Sequence, residues 1–107
     1  MNTISNALTI DVEDYFQVAA LAEAVDRKDW HDMEYRVEAN TDRLLSVLGD
    51  HNTKATFFTL GWVAEKSPAL VRRIHDAGHE VASHGYSHQL IYKQTPEVFR
   101  EETRRSK

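Results

Sequence analysis

A chain of 107 residues, 41% hydrophobic and 28% charged, has room for one ordinary soluble domain with a modest core. The formal net charge is -4, and basic residues gather only at Arg100, Arg104 and Arg105, diluted by Glu101 and Glu102, so nucleic-acid binding has no electrostatic support. Cysteine is absent, which excludes disulfides and thiolate metal sites and leaves His, Asp and Glu to hold any metal.

The first ten residues carry no signal-peptide pattern, and no segment reaches the roughly 18 apolar residues of a membrane span. A soluble chain, cytoplasmic by default, is the expectation. Residues 7–10, Ala-Leu-Thr-Ile, read as a short buried strand that runs into Asp11, Glu13 and Asp14. Residues 15–30 are irregular or partly helical, and 29–32 form a connector. An amphipathic helix follows over 36–50, with Val37, Leu44, Leu45, Val47 and Leu48 on its apolar side. Asn40 or Thr41 suits its N-cap and Gly49 its end. Lys54 to Leu60 is rich in β-branched and aromatic residues and reads as a second strand closed by Gly61. Pro68 opens a helix through Ala77, with Gly78 at its C-cap. Residues 79–83 make a third strand, and a last helix runs from Thr95-Pro96-Glu97 to Lys107.

Strands alternating with helices imply a parallel sheet joined by crossovers, and such folds build their sites at the carboxyl ends of the strands. Asp11, Glu13 and Asp14 follow the first strand, while His84 and His88 follow the third. Two imidazoles four residues apart converge on one cation if their segment makes a helical turn. Two His and one carboxylate, with coordination positions left open, suit a hydrolytic metal, and a second carboxylate is then free to act as a base. The remaining residues read more plainly. His79 is structural, His31, His51 and His75 lie on the surface, and Phe57 and Phe58 belong to a core strand. Trp62 is core before it is a sugar platform, and Arg36 pairs with Glu34 or Glu38. Three strands make an incomplete sheet, so residues 1–107 are expected to form the first part of a larger (β/α) domain.

With these residues assembled, the chain resembles the polysaccharide deacetylase family (NodB homology, carbohydrate esterase 4), most of all its exosortase- and exopolysaccharide-associated members. The match rests on Leu8-Thr9-Ile10-Asp11-Val12-Glu13-Asp14-Tyr15-Phe16-Gln17, on Lys54-Ala55-Thr56-Phe57-Phe58 with Leu60-Gly61-Trp62, and on Gly78 through His88. The resemblance implies an α/β fold, the N-terminal part of a distorted (β/α) barrel. It also implies a divalent metal, usually zinc, and an N-acetylated polysaccharide as substrate. Asp11 matches the family's base, and His84 and His88 match its metal-binding pair. The metal-binding acid, normally adjacent to the base, moves past Val12 to Glu13 or Asp14, and both stay open. Gly85 stands where a Ser or Thr normally braces the loop, which implies a looser one. The family's later motifs, including the one supplying the general acid, lie beyond Lys107, so weak or no activity is expected of this portion alone. Two other readings compete. One is a related C–N hydrolase acting on a small cyclic amide or ureide, like allantoinase. The other is an inactive metal-binding or interaction fragment that forms homo-oligomers through open sheet edges.

Overall fold

The computed structural model describes residues 3–107. Its strands β1 (Thr9–Val12), β2 (Thr56–Thr59) and β3 (Glu80–Ser83) form a parallel sheet in the order β1-β2-β3. The register aligns Ile10 with Phe57 and Val81, and Val12 with Thr59 and Ser83. Side chains alternate along each strand, so these two rows share one face of the sheet. Four α-helices lie between and after the strands: α1 (Val37–Asp50), α2 (Gly61–Lys66), α3 (Pro68–Asp76) and α4 (Pro96–Ser106). Short 3-10 turns occupy much of the long connection from β1 to α1.

Val12 and Phe57 from the sheet pack with Val37 and Leu48 of α1, Val63 of α2, and Leu70 and Ile74 of α3. Phe57, Leu60, Val63, Leu70 and Ile74 have no exposed surface. Burying a side chain of this size contributes about 1.5–3 kcal/mol, so this cluster dominates the fold's favourable term. Leu70 and Ile74 stand four residues apart on one stripe of α3, and Pro68 fits its first turn, where no amide partner is needed. The opposite face carries Thr9, Asp11, Thr56, Phe58, Glu80 and Ala82, and no helix covers it among the described residues. None of the described helices is long and apolar enough to cross a membrane.

The order of strands and helices matches the sequence-based expectation, with four local corrections. The first strand lies two residues later than 7–10, because pairing begins at Thr9 opposite Thr56, and Leu8 is 45% exposed. Asp11 is therefore inside β1, with its side chain on the face opposite Val12. The second correction concerns α1, which starts at Val37 rather than after Asn40 or Thr41. Its first amides are capped from a distance by the Asp14 carboxylate, so no local cap is required. Third, Gly61 does more than close a strand, since it is the first residue of α2. Finally, the His84–His88 segment is an irregular loop rather than a helical turn.

Candidate metal centre

Parallel pairing brings the two groups of predicted residues to one edge. The register puts Val12, Thr59 and Ser83 side by side as the last row, so Glu13 and His84 are the next residues out. The ladder extends one step further: the His84 amide donates to Thr59 O at 3.1 Å and that of Leu60 to Val12 O at 3.3 Å. Alternation then places Glu13 on the face of Asp11, and His84 on the face of Ala82, away from the packed helices.

The loop after His84 turns through the left-handed region twice, at Gly85 (φ 75°) and at His88 (φ 60°). Glycine adopts this conformation freely, whereas histidine does so at a cost of roughly 1 kcal/mol that the surrounding structure must offset. That path, rather than a helical turn, brings the two imidazoles to 5.0 Å between ring centres. The first two amides of α2 hold the loop, Gly61 N–H donating to Gly85 O at 2.8 Å and Trp62 N–H to Tyr86 O at 3.1 Å. These are donors a helix leaves free at its start. A side chain at position 61 would meet Tyr86 Cδ2 at 2.6 Å, so the close approach requires glycine there. Ser87 is gripped from two sides. Its hydroxyl and amide donate to Glu102 Oε1 at 2.6 and 3.3 Å, and its carbonyl accepts from Arg27 Nε at 3.2 Å. The looser loop implied by Gly85 is thus compensated by anchors elsewhere. Next to them, the Tyr86 hydroxyl donates to Glu65, and burial together with that carboxylate pushes its pKa up to about 12. The Glu65 carboxyl is in turn held low by Arg105 and Tyr86.

Of the predicted site residues, the structure brings Glu13, His84 and His88 together. Glu13 Oε2 lies 3.3 Å from His84 Nε2 and 3.1 Å from His88 Nε2, and one ligand atom from each residue falls within 4.8 Å of the others. Glu13 Oε2, His84 Nε2 and His88 Nδ1 are buried with no hydrogen-bond partner. Buried polar atoms are almost always satisfied, and leaving one unpaired costs about 1–3 kcal/mol, so Glu13 Oε2 and His84 Nε2 facing each other, with His88 Nε2 beside them, call for a ligand. A carboxylate and two imidazoles form a donor set that fits a divalent metal. Asp11 sits beside the cluster, its Oδ2 3.7 Å from His84 Nε2 and its side chain 54% exposed.

Asp14 lies outside the cluster, although its sequence position admits it as a ligand. Its carboxylate is buried and already accepts from the amides of Tyr15 at 2.8 Å, Arg36 at 2.6 Å and Val37 at 2.8 Å. Of the two acids left open, Glu13 stands with the imidazoles and Asp14 does not. His79 is buried, with Nδ1 accepting from the Ala55 amide at 3.1 Å, as its structural reading expects. Trp62 packs among Phe16, Trp30, His31 and Tyr35. Arg36 pairs with Glu34 at 2.7 Å and lies over the Tyr15 ring. Sequence reasoning missed Arg27, Ser87 and Glu102. Glu102 looks like any acid on a solvated helix, and nothing local marks its hydrogen bonds to the loop.

A family model for polysaccharide deacetylases matches residues 26–107. Among curated proteins, the chain is 42% identical over 72 residues to a peptidoglycan-N-acetylglucosamine deacetylase of Bacillus cereus, covering 67% of this chain and 24% of that one. It is 46% identical over 48 residues to a chitooligosaccharide deacetylase of Sinorhizobium fredii, covering 45% and 22% respectively. A family 4 carbohydrate esterase from Streptomyces lividans, solved in complex with acetate, superposes with a TM-score of 0.66 at 26% identity, over 94% of this chain and 40% of that one. The chain thus spans about a quarter of the length of these curated relatives.

Proposed function

The chain belongs to the polysaccharide deacetylase family, and from that premise we propose that Glu13, His84 and His88 hold a divalent metal, zinc by donor type, for hydrolysis of N-acetyl groups on a polysaccharide. The observation that carries this reading is the convergence of Glu13 Oε2 with the Nε2 atoms of His84 and His88 on the carboxyl edge of the sheet, the first two buried and without a hydrogen-bond partner. A divalent cation bound there would polarise an amide carbonyl and make water a stronger nucleophile at neutral pH. Every other role falls to the chain's own side chains.

Glu13 supplies the negative charge that offsets part of a cation's own, and His84 and His88 supply neutral nitrogen donors. Asp11 is close to the cluster without belonging to it, so its carboxylate is not taken up by ligation and is left for the base's part. It is placed to accept a proton from an attacking water as that water adds to the acetamide carbon. The C–N bond then breaks, the amine takes up a proton as it leaves, and acetate and a free amino sugar result. The relatives named for peptidoglycan N-acetylglucosamine and chitooligosaccharides support an N-acetyl amino sugar as the reacting unit. An exopolysaccharide as its carrier rests on the resemblance of the Asp11-Val12-Glu13-Asp14-Tyr15-Phe16-Gln17 block to the exopolysaccharide-associated members of the family.

The test is metal content after extensive dialysis, measured on the chain and on its His84→Ala/His88→Ala variant. About one zinc per chain, lost in the variant, supports the reading and leads to acetate-release assays on N-acetylated oligosaccharides. A chain that retains its circular dichroism spectrum and binds no metal would overturn it.

A further inference from the structure

Ser87 lies between the backbone that supplies His84 and the residue that supplies the second imidazole, and it is buried. Its hydroxyl and its amide both donate to one oxygen of Glu102 on α4, at 2.6 and 3.3 Å, across fifteen positions of sequence. The next residue, His88, is held at φ 60°, a conformation that an isolated chain would rarely keep at histidine. Two other contacts tie α4 to the same edge: Ser106 receives the Ser83 hydroxyl at 3.0 Å, and Arg105 makes a two-point pair with Glu65 at 2.7 and 2.9 Å. Those fix the helix, whereas Glu102 alone among the described residues of α4 reaches the backbone of the loop between the two histidines.

From this arrangement we infer that Glu102 is a positioning residue for the metal pair, acting through Ser87 to hold the His88 imidazole where it meets Glu13. The inference rests on the metal reading of Glu13, His84 and His88. Outer-shell partners of this kind alter metal affinity by about 10- to 100-fold when removed, because a ligand that must be reordered binds less tightly. A side chain that merely stabilised α4 would lower the melting temperature and leave affinity alone.

The experiment titrates cobalt(II) into the metal-free chain, followed by its visible absorption, for the parent and for Glu102→Ala, Glu102→Gln, Ser87→Ala and the Ser87→Ala/Glu102→Ala double variant. Glu102→Ala is expected to weaken binding about tenfold. Glu102→Gln keeps an acceptor oxygen for Ser87 and should restore most of that loss. The double variant should bind no more weakly than the worse single one, since both changes cut the same link. Glu102→Ala binding cobalt within twofold of the parent, with a lowered melting temperature, would overturn the inference. A parent that binds no cobalt would overturn the metal reading instead. In that case imidazole NMR spectra of the metal-free chains decide the role of Glu102. A displaced His88 signal beside an unmoved His79 signal supports positioning, and two unmoved signals refute it.

Discussion

At the amino ends of the strands, His79 is buried beside Phe57, and its Nδ1 takes the Ala55 amide that precedes β2. At the carboxyl ends, His84 and His88 are also largely buried, yet each keeps a nitrogen without a partner, and so does the Glu13 oxygen between them. The same contrast recurs between neighbours in sequence. Asp14 spends its carboxylate on three backbone amides, while Glu13 leaves an oxygen unpaired one residue away. One set of polar groups is consumed by the fold, and the other is held open at the fold's expense. Natural proteins rarely leave buried polar groups unmatched except where a function uses them, so residue type alone says less than the state of each polar atom.

The comparison breaks most visibly at the two acids. Asp14→Ala removes a buried cap from α1 and strands amides that have no other partner, so unfolding stability should fall by about 3 kcal/mol. Urea denaturation followed by circular dichroism reads that loss, and a change below about 1 kcal/mol would mean that water replaces the carboxylate. Glu13→Ala should do the reverse. It removes an unsatisfied oxygen, so the metal-free chain should melt no lower than the parent, while zinc affinity falls by on the order of 100-fold, or about 2.7 kcal/mol. Competition against a chelator measures the affinity. Unchanged binding would exclude Glu13 as a ligand.

A smaller effect tests how the open edge is braced. In Gly61→Ala, the new methyl meets Tyr86 Cδ2 at 2.6 Å and Tyr86 Cα at 3.3 Å. Overpacking of this kind costs about 1–3 kcal/mol, and alanine's better helix propensity recovers only part of it, so a net loss of about 1 kcal/mol is expected. The ring of Tyr86 can swing aside but its backbone cannot, so the loop should shift and metal affinity should fall with stability. Gly85→Ala is the control, since nothing crowds an added methyl there and only the positive φ opposes it.

Much of this contrast was legible in the sequence, and the reasons for the rest are physical. Apolar runs and Gly or Pro boundaries gave the succession of strands and helices, because core burial imposes those periods. The rule that parallel sheets put sites at their carboxyl ends then joined residues 11–14 to residues 84–88. What stayed hidden was set by partners remote in sequence. The register of β1 depends on where Thr56 begins to pair, and Leu8, apolar in the sequence, remains exposed. The start of α1 depends on Asp14, 22 residues before the Arg36 amide it receives. Glu102 carries no mark that separates it from Glu101, which pairs with Arg104 on the same helix. The different surroundings of Glu13 and Asp14 likewise depend on the amides of α1, since the two acids are adjacent and chemically alike.

The amino-end histidine gives the finest test, because its buried hydrogen bond makes stability depend on pH. Burial, and after it the nearby positive charge of Lys54, holds the His79 pKa below its usual 6.5. Its Nδ1 accepts an amide hydrogen, which a protonated nitrogen cannot do. In the unfolded chain this residue takes up a proton near pH 6.5, while in the folded chain it resists until lower pH. Between those two values the unfolded state binds more protons, so stability rises with pH there. The contribution is complete above about pH 6.5 and is lost as pH falls through the lowered folded value. His79→Gln removes the titration while leaving an amide oxygen to receive the Ala55 N–H. Urea midpoints at about pH 7.5 and about pH 5, on either side of the usual histidine range, should therefore differ less in this variant than in the parent. Equal differences in the two chains would show that acid sensitivity arises elsewhere, and that the amino end of the sheet is not the satisfied half of the contrast.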